Sequence, residues 1–113
     1  MQRMEEIKFS VQGSADEPYS VLFAKNGENL TAHCTCPAGL VGQYCKHRIR
    51  ILERNTEGIV SENKCDVATV ILWLTGTDVE KAIAEVRAGE QRLEEAKSNL
   101  TALKKKLART MSD

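Results

Sequence analysis

The sequence predicts an α+β protein: a small N-terminal module of β-strands and one short helix (ββα), followed by a helical C-terminal half arranged as an α-helical hairpin or a coiled coil. Three observations carry this expectation. Near the start of the chain Ile7, Phe9 and Val11 interleave with Lys8, Ser10 and Gln12, the period of a half-buried strand. Asn26-Gly27 stands between two further runs of strand character and is the strongest short hairpin signal present. From Asp78 to about Thr110 no proline interrupts, and apolar residues recur at every seventh position.

Taken in order, the first strand is expected over about 6–12, with a loop from Gly13 to Pro18. A second strand runs over 19–25. Asn26 and Gly27 both tolerate positive φ, as a type I′ turn requires. The return strand, 29–34, carries Leu30, Ala32 and Cys34 on one face. A short helix is expected over 46–54 with Ile49 and Leu52 facing inward, which completes a module spanning 1–57. Asn55 to Asn63 reads as a polar connection that bends at Gly58. Val67 to Leu74 is the most apolar run, and its length alone fits either a buried strand or a buried helix. Asp66 in a first turn, and the helix that follows, favour a helix from about Lys64 to Thr75 within a helical region of 64–113.

Between the return strand and the short helix lies the chemistry. Cys34, Cys36, Cys45 and His47 use three of the four cysteines and one of the two histidines. Thiolates and a neutral imidazole are the donors that a structural zinc ion selects, and four of them close a tetrahedron. In extended backbone, residues two apart point the same way, so Cys34 and Cys36 reach one metal from a strand end. Cys45 and His47 are also two apart but would diverge inside a regular helix, so that pair belongs at a turn entering one. Pro37, Gly39 and Gly42 supply the reversal between the pairs. One structural zinc per chain is expected. His33 could substitute as a ligand but reads first as a surface histidine at a strand end, and the isolated Cys65 as a small buried hydrophobe.

These residues resemble the SWIM zinc finger, whose pattern is Cys-x-Cys, a variable gap, then Cys-x-His. Cys34, Cys36, Cys45 and His47 occupy the pattern, Pro37 and Lys46 are also typical of it, and the likeness covers roughly residues 19–54. SWIM modules occur in chromatin-remodelling ATPases, Mutator-type transposases, recombination-associated proteins and ubiquitin-ligase-like kinases. The resemblance therefore implies binding to DNA or to proteins rather than catalysis.

Composition bounds the partners. The 113 residues carry zero formal net charge, which excludes a generally basic nucleic-acid coat. Two Phe, two Tyr and one Trp cannot build a large aromatic core, so a metal ion would supply part of the module's stability. No run is long and apolar enough to span a membrane. Met1 to Glu6 is polar, without the apolar core of a secretory leader, so an intracellular protein of cytoplasm or nucleus with reduced thiols is expected.

Locally, Lys46, Arg48, Arg50 and Arg54 make the short helix basic, able either to balance the thiolates or to touch phosphates. Thr77 and Glu80 form a capping box at the start of a long helix over about 78–110. Val79, Val86, Leu93, Leu100 and Leu107 form its seven-residue stripe, with Ala82, Gly89, Ala96 and Leu103 in the matching fourth positions. Acidic residues crowd its first half and Lys97, Lys104, Lys105, Lys106 and Arg109 its second, which complements the helix dipole and favours antiparallel pairing of two copies. No Gly-rich phosphate loop or zincin motif is present, and no enzyme is expected. Two functions follow as expectations. The first is a homodimeric zinc module docking on nucleic acid, DNA before RNA, through the basic helix. The second is a protein-interaction adaptor using the zinc module, the apolar 67–74 segment and the long helix.

Overall fold

The computed structural model describes residues 4–112 and is α+β, with an antiparallel sheet followed by helices. It divides into two compact units, one running to Glu80 and the other from Lys81 onward. In the first, β1 (Met4–Val11), β2 (Tyr19–Asn26) and β3 (Asn29–Cys34) form a sheet of order β1-β2-β3. Pairing sets Phe9 opposite Val21 and Ile7 opposite Phe23, then Val21 opposite Cys34. The alternation seen in the sequence therefore puts Phe9, Val11, Val21 and Phe23 on one buried face. The Phe9 and Phe23 rings meet edge to face, centroids 6.0 Å apart.

The hairpin turn differs from expectation by one residue. Asn26 pairs with Asn29, so the two-residue loop is Gly27-Glu28. Only Gly27, at φ 63°, has positive φ there. Glycine at the first central position is the type II′ signature, whereas type I′ needs positive φ twice.

Beyond the sheet come a single turn of helix, α1 (Pro37–Leu40), and α2 (Lys46–Leu52). The buried residues of α2 are Ile51 and Leu52, and Ile49 is only half-buried, a correction to the inward pair expected. The helix also stops earlier than residue 54. Arg54 takes the left-handed conformation (φ 70°), its N–H donates to the Ile51 carbonyl at 2.9 Å, and the Asn55 N–H donates to the Arg50 carbonyl at 2.9 Å. Those two bonds define a Schellman cap, in which the left-handed position is usually glycine.

The stretch read as a polar connection pairs along β1. The Gln12 N–H donates to the Gly58 carbonyl and the Val60 N–H to the Ser10 carbonyl, both at 2.8 Å, and Ile59 bridges to Val11. Ser61 and Asn63 continue along the same edge: the Ser61 hydroxyl accepts from the Ser10 N–H, and the Asn63 amide donates to the Lys8 carbonyl. The open edge of β1 is thereby paired rather than exposed, and Ile59 is buried.

A 3₁₀ turn (Lys64–Asp66) leads into α3 (Val67–Leu74), which resolves the apolar run as helix. Val67, Val70 and Leu74 bury one face of α3. Its C-terminal end is held by Lys25, whose Nζ donates to the Trp73 carbonyl at 3.1 Å, a cation placed where the dipole favours it. Cys65 is exposed, contrary to the buried hydrophobe expected, because it lies on the 3₁₀ turn ahead of the packed face.

The capping box is present in altered form. The Thr77 hydroxyl accepts from the Glu80 N–H at 3.3 Å, and the Glu80 carboxylate accepts from the Gly76 N–H rather than that of Thr77. From there α4 (Asp78–Ser112) runs for 35 residues and has no buried residue. At about 1.5 Å per residue its length is about 50 Å. Among the described residues, no helix is long and apolar enough to cross a membrane.

Replacing Arg54 by glycine should relieve the left-handed strain at the α2 cap and raise stability by about 0.5–1 kcal/mol. Urea unfolding of the zinc-loaded protein measures this, and a loss of stability would show that the Arg54 side chain holds the cap.

Candidate metal centre

Each ligand is positioned by a different local device. Cys34 ends β3, and the ladder continues one step beyond it: the Thr35 N–H donates to the Ser20 carbonyl at 3.1 Å, and the Ser20 N–H to the Thr35 hydroxyl at 2.9 Å. This keeps the backbone extended through Cys36, so the two sulfurs fall on the same side. Cys36 then serves as N-cap of α1, with Pro37 at the first helical position, and its Sγ accepts from the Gly39 N–H at 3.3 Å. Cys45 is the residue before α2, in extended conformation, and His47 lies in that helix's first turn. The strand, knuckle, loop and helix follow in the order the spacing predicts.

The four side chains converge. Cys34 Sγ, Cys36 Sγ, Cys45 Sγ and a ring nitrogen of His47 all lie within 4.8 Å of one another. Cys36 Sγ is 3.4 Å from Cys45 Sγ, and His47 Nδ1 is 3.8 Å from Cys34 Sγ and 3.6 Å from Cys45 Sγ. A tetrahedral zinc with bonds of about 2.3 Å to sulfur and about 2.0 Å to nitrogen separates its ligand atoms by about 3.6–3.8 Å. Spacing and donor type both fit a structural zinc ion, held by Cys34, Cys36, Cys45 and Nδ1 of His47. His33 is exposed on the strand and is not one of the four.

Residues 9–55 match the family model of the SWIM zinc finger. The matched SWIM segment contains all four ligands and reaches back to Phe9 in β1, beyond the roughly 19–54 covered by the motif likeness. No solved structure matches the chain.

Around the ligands, the SWIM segment supplies groups that sequence reasoning missed. The Tyr19 ring packs on the His47 imidazole at a centroid distance of 5.2 Å, fixing its orientation. A Cβ on Gly13 would lie 2.5 Å from the Tyr19 ring and 3.1 Å from Nε2 of His47, and one on Gly39 would collide with the Cys34 carbonyl. Both close approaches need glycine. A turn of glycine and proline was visible in the sequence; the long-range approach of Gly13 to His47 had no local signal.

Of the basic residues on α2, Arg48 is tied into the module. Its guanidinium donates to the Ala32 carbonyl at 3.0 Å and to the Gln43 carbonyl at 2.7 Å, strapping β3 and the zinc loop to the helix. Lys46, Arg50 and Arg54 are exposed. Along α4, Val79 is half-buried, whereas Val86, Leu93, Leu100 and Leu107 are exposed.

Before metal binds, the ligands differ in their hold on protons. Burial pushes the Cys34 thiol up to about 12; a hydrogen bond from the Cys36 backbone N–H opposes this, and the Cys36 and Cys45 thiols add to it. Burial also pushes Cys45 up, but hydrogen bonds from the Arg48 backbone N–H, the two other thiols and the His47 N–H outweigh it and leave Cys45 below its ordinary value. Burial, then the charges of Lys46 and Arg50, hold His47 below its ordinary 6.5. The ring is therefore neutral at pH 7, and what folding gains from it is present above about pH 6.5 and lost as pH falls through the depressed value.

Zinc must displace the Cys34 proton at neutral pH, so its affinity should rise about tenfold or more per pH unit near pH 7. Below the depressed His47 value the dependence should steepen further as the ring takes up a proton. Competition with a chromophoric chelator across pH 5.5–8 reads this out, and pH-independent affinity would mean that Cys34 is not a ligand.

Proposed function

We propose that this chain is a non-catalytic docking protein in which zinc holds the SWIM segment in shape and the long helix pairs with another helix. The observation that carries this reading is α4 itself. Leu93, Leu100 and Leu107 are 55%, 52% and 58% exposed at the coiled-coil spacing, on a helix with no fully buried residue. Such a stripe is what helix association removes from water. Further apolar surface lies on the zinc-bearing unit, where Leu40 is 71% and Leu72 73% exposed.

The metal chemistry supports a non-enzyme. Four protein ligands leave no coordination position for water or substrate, and the three thiolates nearest one another are committed as ligands. Zinc held by thiolates also suits a reducing, intracellular setting, cytoplasm or nucleus.

Nucleic acid, DNA before RNA, is the second reading, supported by the exposed Lys46 and Arg50 next to the metal site. Phosphate contacts from this helix would position the module without specifying sequence. Zero net charge and the internal engagement of Arg48 weigh against it relative to protein docking.

Replacing Leu93 and Leu100 by serine should abolish association in sedimentation equilibrium while leaving zinc content unchanged. Association that survives would remove α4 as the pairing element. In gel shifts, salt-sensitive DNA binding that disappears with Lys46→Ala and Arg50→Ala would restore the nucleic-acid reading to first place.

A further inference from the structure

Resting on the reading of α4 as a pairing helix, we infer that its partner is a second copy of the same helix, running antiparallel in one defined register. The stripe has two unlike columns. One holds Val86, Leu93, Leu100 and Leu107; the other holds Ala82, Gly89 and Ala96, followed by Leu103. In an antiparallel pair the first column of one helix faces the second column of the other.

Setting Leu93 opposite Ala96 of the second copy brings the two helices level along almost their whole length. The same offset sets Leu100 opposite Gly89, Leu107 opposite Ala82, and Val86 opposite Leu103. Each leucine of the first column then fills the space left by a small residue, as close packing requires. A parallel, in-register pair would instead oppose Gly89 to Gly89 and Ala96 to Ala96, leaving gaps between layers of paired leucines.

Charges that flank the stripe choose the same arrangement. In antiparallel pairs each flank of the stripe meets its own counterpart on the partner, and in this register Glu90 lies beside Lys97 of the second copy and Glu85 beside Lys106. By two-fold symmetry each pair occurs twice. A parallel pair would put Glu85 beside Glu90 and Arg92 beside Lys97, like charges in both cases. Among the described residues Lys97 has an exposed contact with Glu94, at 3.8 Å, which costs little to exchange. Opposite-charge flanks and large-to-small packing are independent properties of the sequence, and they select one orientation and one offset.

The test is disulfide trapping in zinc-loaded full-length protein carrying Cys65→Ser. One preparation bears Val86→Cys, another, size-tagged, bears Leu103→Cys, and they are oxidised alone and after mixing. The mixed disulfide is expected at least tenfold in excess of either self-disulfide. Efficient self-crosslinking of Val86→Cys would overturn the antiparallel register while leaving helix pairing intact; a chain monomeric in sedimentation before any substitution would overturn both. As a second readout, Glu85→Lys should weaken the dimer about tenfold and Lys106→Glu added to it should restore association. Failure of that rescue in a crosslinkable dimer would overturn the proposed register.

Discussion

Everything in the N-terminal unit depends on four ligand atoms drawn to one point. Zinc joins the end of β3, the cap of α1 and the first turn of α2, elements otherwise tied by the Arg48 strap and the close approach of Gly39 to Cys34. The sheet supplies two phenylalanines and a handful of aliphatic side chains as core, and α1 buries none of its residues. Structural zinc contributes folding free energy directly, so the order of events is metal and fold together. Around the ion, the surroundings offset its excess of thiolate charge: the Gly39 N–H points at Cys36, the Arg48 N–H at Cys45, and two cations of α2 stand close to His47.

The same unit solves its edge problem with its own chain. Residues 58–63 lie along β1, and α3 adds a packed apolar face. Sheet, zinc loop, edge segment and α3 form the unit that runs to Glu80, while α4 from Lys81 forms its own. One part is held by metal and burial, the other by local helical bonds alone. A helix that leaves Leu93, Leu100 and Leu107 in water gains nothing from burying an apolar face, which is the physical reason for reading it as half of an interface.

Much of this was legible in the sequence because the signals were local. Alternation at Ile7–Val11, the Cys-x-Cys and Cys-x-His spacings, and the proline-free heptads each belong to one element and survive without knowledge of the rest. The ligand set, the strands and α4 came from such signals. The misreadings were tertiary. Cys65 looked like core by residue type, but it sits ahead of the α3 face that packs. Asn55–Asn63 looked like a connection because its hydrogen bonds go to β1, far away in sequence. For Arg48, whose expected contact was phosphate, no local signal announced the bonds from its guanidinium to the Ala32 and Gln43 carbonyls. Gly13, the partner in the close approach to His47, is separated from it by the whole hairpin.

The most direct measurement is native mass spectrometry of the protein purified without chelator, paired with circular dichroism and repeated on Cys36→Ser. The account predicts one zinc per chain in the parent protein, and loss of both the ion and the sheet signal in the variant, with the α4 helical signal least affected. A parent chain that carries no zinc, or a variant that loses zinc but keeps an unchanged sheet, would contradict the claim that the metal organises the fold.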